Sequence, residues 1–424
     1  MSNMLKKIGL GFAQAFGFGL FFIIFALAAI YFFTDIDLKL MAQKIGTKTK
    51  LYQPTIVKPF DEAQSIQKLF VRRQTAIPTE FLRIHVNTTD ALYLAVRQLN
   101  QHGGKGAIIL ADGTYKIDST IEINQPDIMV VSLSADPYKT ILKGRGNRQT
   151  GPVNSIFKVK SSNFVLDGVT LTDAPNHLIQ VAGELDADNI ILRNNIFQDS
   201  YEQMIKVSYN LYDNPDVSGD NGIVENNIFQ YTLGIANNYY TGGIDGIGAK
   251  NWYVDGNIFR DIASPGKNIS QYAVHFWVNA SNNAVTNNIF IDNDRAIGFG
   301  LQLSSNKIDG YKYEVKDGKI QNNYIFHTNN GDPYADVGIA LDSTVDVLVE
   351  NNYVYQSHSY PNAIEYRFAE TEGLKIFTNH VNKKIKSRDN AQAEVRGNKV
   401  HLTQEEMLLK LSEAMGKHHI QQVY

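Results

Sequence analysis

Seven Asn-containing turns recur along this 424-residue chain at near-even spacing, and no other feature constrains its fold as strongly. They read Asn194-Asn195-Ile196-Phe197, Asn226-Asn227-Ile228-Phe229, Gly256-Asn257-Ile258-Phe259, Asn287-Asn288-Ile289-Phe290, Asn322-Asn323-Tyr324-Ile325, Asn351-Asn352-Tyr353-Val354 and Thr378-Asn379-His380-Val381. The second position falls at 195, 227, 257, 288, 323, 352 and 379, so it advances by 32, 30, 31, 35, 29 and 27 residues. A period of this size, flanked by short β-branched runs, signals stacked supersecondary units. One unit cannot bury its apolar face alone, so neighbours must stack, and the core grows in one dimension.

Composition removes several function classes. With no cysteine, the chain has no disulfides, thiol nucleophile or Cys-ligated metal centre. The formal net charge is −3, so no global basic field argues for nucleic acid as a partner.

At the N-terminus Lys6-Lys7 precede a charge-free run, Ile8 to Phe33, followed by Asp35 and Asp37. As a helix that run crosses a hydrocarbon core of ~30 Å. Lysines before the span place the N-terminus in the cytoplasm and the remainder outside. A cleaved signal peptide ending near Ala26-Leu27-Ala28 is the competing reading, but the apolar run is longer than an ordinary signal h-region. The domain expectation is therefore a single-pass membrane anchor over 1–34, a tether over 35–83, a folded domain over 84–402 and a closing helix with tail over 403–424.

Thr89-Asp90 caps an expected helix whose stripe is Leu92, Ala95, Val96 and Leu99, ended by Gly103-Gly104. The strand Ala107–Leu110 and the turn Asp112-Gly113-Thr114-Tyr115 follow, and Asp167-Gly168-Val169-Thr170 reads as a degenerate first Asn turn. Near the far end Thr403-Gln404-Glu405-Glu406 fits a capping box, with Met407, Leu408, Leu411, Ala414 and Met415 as one apolar face of a helix closing the last rung. With this entrance and the Asn repeat, the chain resembles the right-handed parallel β-helix, or pectin-lyase-like, superfamily over about residues 84–400. The fold class is thus all-β, with an N-terminal membrane helix and terminal capping helices. Asn tolerates the left-handed backbone of tight turns, and stacked amides can form a ladder, so the repeated Asn residues are structural.

The strand midway between Asn turns reads His177–Val181, Met204–Ser208, Ala273–Val278, Ala296–Leu301, Gly338–Asp342 and Ala363–Phe368. A period of two fixes its faces once Ile179, Ile205, Val274, Ile297, Ile339 and Ile364 point inward. The outward positions then form two rows: Gln180, Lys206, His275, Gly298, Ala340, Glu365, and Ala182, Ser208, Trp277, Gly300, Asp342, Arg367. Between Lys206 and His275 two segments compete for the slot, Gly234-Ile235-Ala236 and Gly243-Ile244-Asp245-Gly246. Gly298 and Gly300 suggest an open floor on which a polymer lies flat, with Arg295, Asp336 and Asn362 at the strand entrances and Arg388 and Asp389 in the next rung.

The superfamily resemblance implies a carbohydrate ligand. Trp277 suits stacking on a sugar, and Lys206, Arg295, Arg367 and Arg388 suit uronate carboxylates. On an acidic polysaccharide the expected chemistry is proton abstraction beside the carboxylate, leading to β-elimination or C5 epimerisation, with His275 or Lys206 as base and Arg295 or Arg367 as neutraliser. The catalytic set also includes Glu365; Trp277, Gly298, Gly300, Asp336, Asp342, Asn362, Arg388 and Asp389 form the substrate-binding set. Glu365 and Arg367, two apart on one face, also read as a surface ion pair. The alternatives are a glycoside hydrolase using Asp342 and Glu365, and a non-catalytic glycan-binding or envelope-scaffold solenoid.

Ca²⁺ is the candidate cofactor, through the oxygen-rich loop Asp213–Gly222, although its spacing is not that of an EF-hand. Known signatures of the superfamily are missing. Asp332-Pro333-Tyr334-Ala335-Asp336 only echoes the Asp-Pro-His-Asp of mannuronan epimerases. The polygalacturonase carboxylate pattern and the Arg-x-Pro-x-x-Arg of pectate lyases are absent.

Overall fold

The structure is a computed structural model that describes residues 75–148, 155–266, 268–303, 310–328 and 334–420. The expected membrane anchor and nearly all of the tether lie outside these residues, as does Asp332-Pro333. Among the described residues no helix is long and apolar enough to cross a membrane.

Every strand pairing is parallel, and the described strands assemble into three long sheets of twelve, eleven and ten strands. One rung supplies one strand to each, as in Ile191–Arg193 to the first sheet, Ile196–Ser200 to the second and Ile205–Ser208 to the third. The fold is a right-handed parallel β-helix. A short three-stranded sheet, Ala280–Ser281, Val315–Lys316 and Thr344–Val345, was not foreseen and follows the third-sheet strands of three middle rungs.

The Asn corner joins the first sheet to the second. Its leading residue is left-handed in every copy, with φ of +56° at Asn194 and Asn226, +63° at Gly256 and +52° at Thr378. Glycine replacing Asn at 256 fits that requirement, because both tolerate the conformation. The second residue points inward and is fully buried. Its carboxamide oxygen accepts the backbone N–H of the preceding copy, from Asn195 to Asn227 at 2.9 Å and on to Asn352 to Asn379 at 3.0 Å. Its Nδ2 donates to a first-sheet carbonyl, as Asn257 does to Val224 at 2.8 Å. Val169 N–H donates to Asn195 at 3.1 Å, so the Asp-Gly-Val turn does head the ladder; Asn398, unforeseen, ends it by accepting from Asn379 at 2.8 Å. Beside it Phe197, Phe229, Phe259 and Phe290 stack with centroids 4.5–4.9 Å apart, each contact adding ~0.5–1.5 kcal/mol beyond area burial. Phenylalanine at a fixed offset in four successive turns thus becomes a continuous column inside the solenoid.

Helix α1, Thr89–Gln101, buries Leu92, Ala95, Val96 and Leu99 against the first rung, and its N-cap is Thr88, one residue before the expected cap. Helix α2, Gln404–Ile420, opens with the expected reciprocal box: Thr403 N–H donates to Glu406 at 2.9 Å and Glu406 N–H to Thr403 Oγ1 at 3.2 Å. Its apolar face, Met407, Leu411, Ala414 and Met415, lies against the outer side of the second sheet, where Tyr324, Tyr353 and Tyr355 meet it. This helix therefore covers the flank of the late rungs.

Candidate functional site on the outer face of the third sheet

The third-sheet register matches the two expected rows. Gln180 pairs with Lys206, His275 with Gly298, Gly298 with Ala340, Ala340 with Glu365 and Asp342 with Arg367. The disputed slot is filled by Ile244–Ile247, which pairs Lys206 with Asp245 and Asp245 with His275. Asp245 is the residue the sequence reading left out of the row. Gly246 fits there because Phe276 fills the space where its side chain would stand, 2.6 Å from an added Cβ.

Two clusters form along this face. In the first, Asp245 is buried and accepts hydrogen bonds from Lys206 Nζ and, at 2.7 Å, from Trp277 Nε1. Trp277 stacks on His275, with centroids 5.4 Å apart and planes 5° off parallel. His275 itself is only 2 % exposed, and its Nε2 lies 3.1 Å from the Gly300 carbonyl. A carbonyl only accepts, so that nitrogen carries the proton. Burial lowers the His275 pKa to about 4, so it is neutral at pH 7. His275 is thus a ring enclosed in the sheet's outer layer, its Nε2 already donating to the main chain. Lys206 is likewise committed to an ion pair, and its side chain is only 14 % exposed.

The second cluster lies two to three strands further on. Glu365, 3 % exposed, accepts from Tyr360 Oη at 2.5 Å, from Asn362 Nδ2 and from Arg388 Nη1 at 3.0 Å. Arg367 pairs with Asp389 at 2.9 Å. The expected Glu365–Arg367 surface pair is thus replaced by two cross-strand pairs, because parallel register sets Arg388 beside Arg367 and within reach of Glu365. Asn362 supports Glu365. Asp342 is 5 % exposed, and its Oδ1 has no hydrogen-bond partner. Burial raises its pKa to about 6, opposed by Arg367. Asp336 is also raised by burial, and its Oδ1 is unpartnered. Glu314, immediately before the Val315–Lys316 strand of the short sheet, is buried and raised to about 7 by desolvation.

The glycine floor is not open. Tyr272 lies over Gly298, its ring 2.4 Å from where a Cβ would stand, and the Arg295 guanidinium sits 4.1 Å above the Tyr272 ring while both of its donors to Ser270 O hold it in place. Gly300 has φ +84°, and an added Cβ would lie 1.9 Å from the Asp342 carbonyl. These glycines admit a tyrosine and a close main-chain approach, so the expected flat floor at 298 and 300 is corrected. Asp245, Tyr272, Glu314 and Tyr360 were missed. Tyr272 and Tyr360 stand just before third-sheet strands, outside the two-residue alternation that picked out the rows.

The Asp213–Gly222 loop uses its own oxygens: Asp213 accepts from Asn210 at 3.0 Å, and Asp220 from Ser218 at 2.8 Å and Lys250 N–H at 3.2 Å. Among the described residues no group of three or more His, Asp or Glu gathers as a metal site.

No protein-family model matches the chain, and no curated protein matches it. Solved structures do. An alginate lyase from Paenibacillus sp. str. FPU-7 aligns with TM-score 0.50 and 13% identity, covering 74% of this chain and 99% of that one. A tailspike protein of E. coli bacteriophage HK620, a double mutant in complex with a pentasaccharide, aligns with TM-score 0.51 and 12% identity, covering 80% of this chain and 66% of that one. At such identities the likeness establishes the parallel β-helix fold.

Proposed function

We propose that the chain acts on an acidic, uronate-containing polysaccharide bound along the outer face of the third sheet, with the chemistry centred on Asp342 and Glu365. The observation that carries this reading is the asymmetry of the two carboxyls. Asp342 is buried, raised to about 6 and leaves one oxygen unpartnered, whereas Glu365 takes three donors suited to an anion. A carboxyl with one free oxygen beside a carboxyl held by three donors gives the two distinct roles in an acid–base pair. Asp342 gives its proton to the leaving glycosidic oxygen, and Glu365 takes one from the water that attacks the anomeric carbon. The two sit diagonally on adjacent strands, with Cβ positions ~8 Å apart from strand spacing and rise. Arg295, Arg367 and Arg388 flank the pair and favour a polymer that carries carboxylates. The same arginines suit β-elimination or epimerisation, but His275 stands three strands away from Glu365 and Lys206 is held by Asp245. The run Ile8–Phe33 supports a membrane-anchored, extracytoplasmic setting, where such polymers are met.

The test incubates the full-length chain with polyuronates and follows new reducing ends together with ultraviolet absorbance from unsaturated uronate ends. Reducing ends without absorbance, falling off as pH rises through about 6, are expected. Absorbance rising in step with reducing ends would replace hydrolysis by elimination. Binding with neither product would make the face a glycan-binding surface.

A further inference from the structure

The Lys206–Asp245–Trp277 cluster is absorbed by neither the fold nor the chemistry above. It lies on the outer face of the sheet, yet Asp245 is 4 % exposed and the lysine it binds is 14 % exposed. Enclosing an ion pair contributes little to stability, because desolvation offsets the attraction. A branched apolar pair would hold this face at least as well. What the arrangement does accomplish is orientation. The indole N–H is held by Asp245 at 2.7 Å, one indole face is taken by His275, and Trp277 remains half-exposed. Lys206 keeps donors beyond the one it gives to Asp245.

We propose that Asp245 is a positioning residue that fixes Trp277 and Lys206 as a second sugar subsite, which takes a uronate residue of the same polymer. This rests on the glycan reading of the face. From the Trp277 strand to the Glu365 strand the sheet advances three steps, ~14 Å at the spacing of parallel strands and so about three sugar rings. Short oligosaccharides bound at the carboxyl pair cannot reach the indole, and longer ones can. The subsite therefore makes affinity depend on chain length.

The chain has two tryptophans, and Trp252 is 1 % exposed, so a ligand-dependent change in tryptophan emission reports Trp277. The full-length chain, carrying Glu365→Gln to stop turnover, is titrated with oligouronates of two to six residues. Emission should change only from about three or four residues upward, with affinity rising about tenfold over the same step. Trp277→Phe should abolish the emission change, and both it and Asp245→Asn should collapse the length-dependent gain. Lys206→Met combined with Asp245→Asn removes both charges and covers the case in which the single Asn variant does not fold. Equal affinity at every length, or an unchanged length dependence in these variants, would overturn the subsite. Length-dependent binding in a wild-type chain that makes no product would keep the subsite and remove the hydrolytic reading, so the two fail separately.

Discussion

The corner between the first and second sheets and the outer face of the third are built from the same rungs and obey opposite rules. At the corner every rung repeats its neighbour: a left-handed residue, a buried Asn, then Ile in four copies and an aromatic ring in three, and a buried apolar residue that is Phe in four. On the third sheet the inward row repeats, Ile179, Ile205, Ile244, Val274, Ile297, Ile339 and Ile364 all being fully buried, while the outward row changes at every step from Lys206 to Asp245, His275, Gly298, Ala340 and Glu365. Repetition marks the positions that stacking determines. A charged, buried position that does not repeat needs another reason, and it is on this ground that the third-sheet face is assigned the function.

The sharpest way to break this comparison is to change one residue on each side. Glu365→Gln keeps the shape but leaves no base, so turnover should fall about 10²–10⁴-fold with the unfolding transition little moved; rates of reducing-end formation and a thermal melt check both halves. Asn257→Ala should do the reverse. It strands the Asn227 N–H, which now donates to Asn257, and removes a side-chain donor from the Val224 carbonyl, at ~1–3 kcal/mol for a buried group left unsatisfied. Denaturant unfolding should show that loss, with activity per folded molecule retained.

A smaller effect sharpens the electrostatic side. Asp342 has a raised pKa in the folded state, so folding takes up protons, and its contribution is most favourable below the unfolded value and is lost as pH rises through about 6. Asp342→Asn should therefore stabilise the protein by about 3 kcal/mol at pH 8 and by little at pH 4, while depressing turnover. Stability measured across that range decides it. His275 has the opposite sign: its lowered pKa gives stability that is present above about 6.5 and lost as pH falls through about 4.

The smallest effect belongs to a second, exposed Asn ladder in the turns that enter the first sheet. Asn163, Asn189, Asn221, Asn251 and Asn282 are all left-handed, and Nδ2 of each later one donates to the Oδ1 of the one before, at 2.7–3.2 Å. Because it is exposed, Asn221→Gly should cost under ~0.5 kcal/mol. A cost like that of Asn257→Ala would mean that repetition, not burial, sets the value of a ladder.

These two ladders also show what the sequence can disclose. The buried one was legible because Asn, a required left-handed backbone and an apolar run coincide at one spacing. The exposed one also precedes apolar runs, but the residue after its Asn changes from Phe164 to Ile190, Gly222, Trp252 and Asn283, so no fixed motif marks it. The outward rows were legible from alternation alone. Their chemistry was not, for three physical reasons. An insertion hid Asp245 by offering two candidate strands. Tyr272 enters the face from outside the strand and covers Gly298. Cross-strand register, rather than proximity in sequence, chose Arg388 as the partner of Glu365. Fold follows from periodicity, whereas partners follow from register and burial, which one strand does not carry.

The most direct test of the account is a paired measurement on Glu365→Gln and Asn257→Ala, scoring oligouronate turnover per folded molecule and unfolding free energy for each. The account predicts a crossed result, with turnover lost and stability kept in the first, stability lost and turnover kept in the second. If Glu365→Gln turns over like the wild type while remaining folded, the outer face of the third sheet is not the seat of the chemistry.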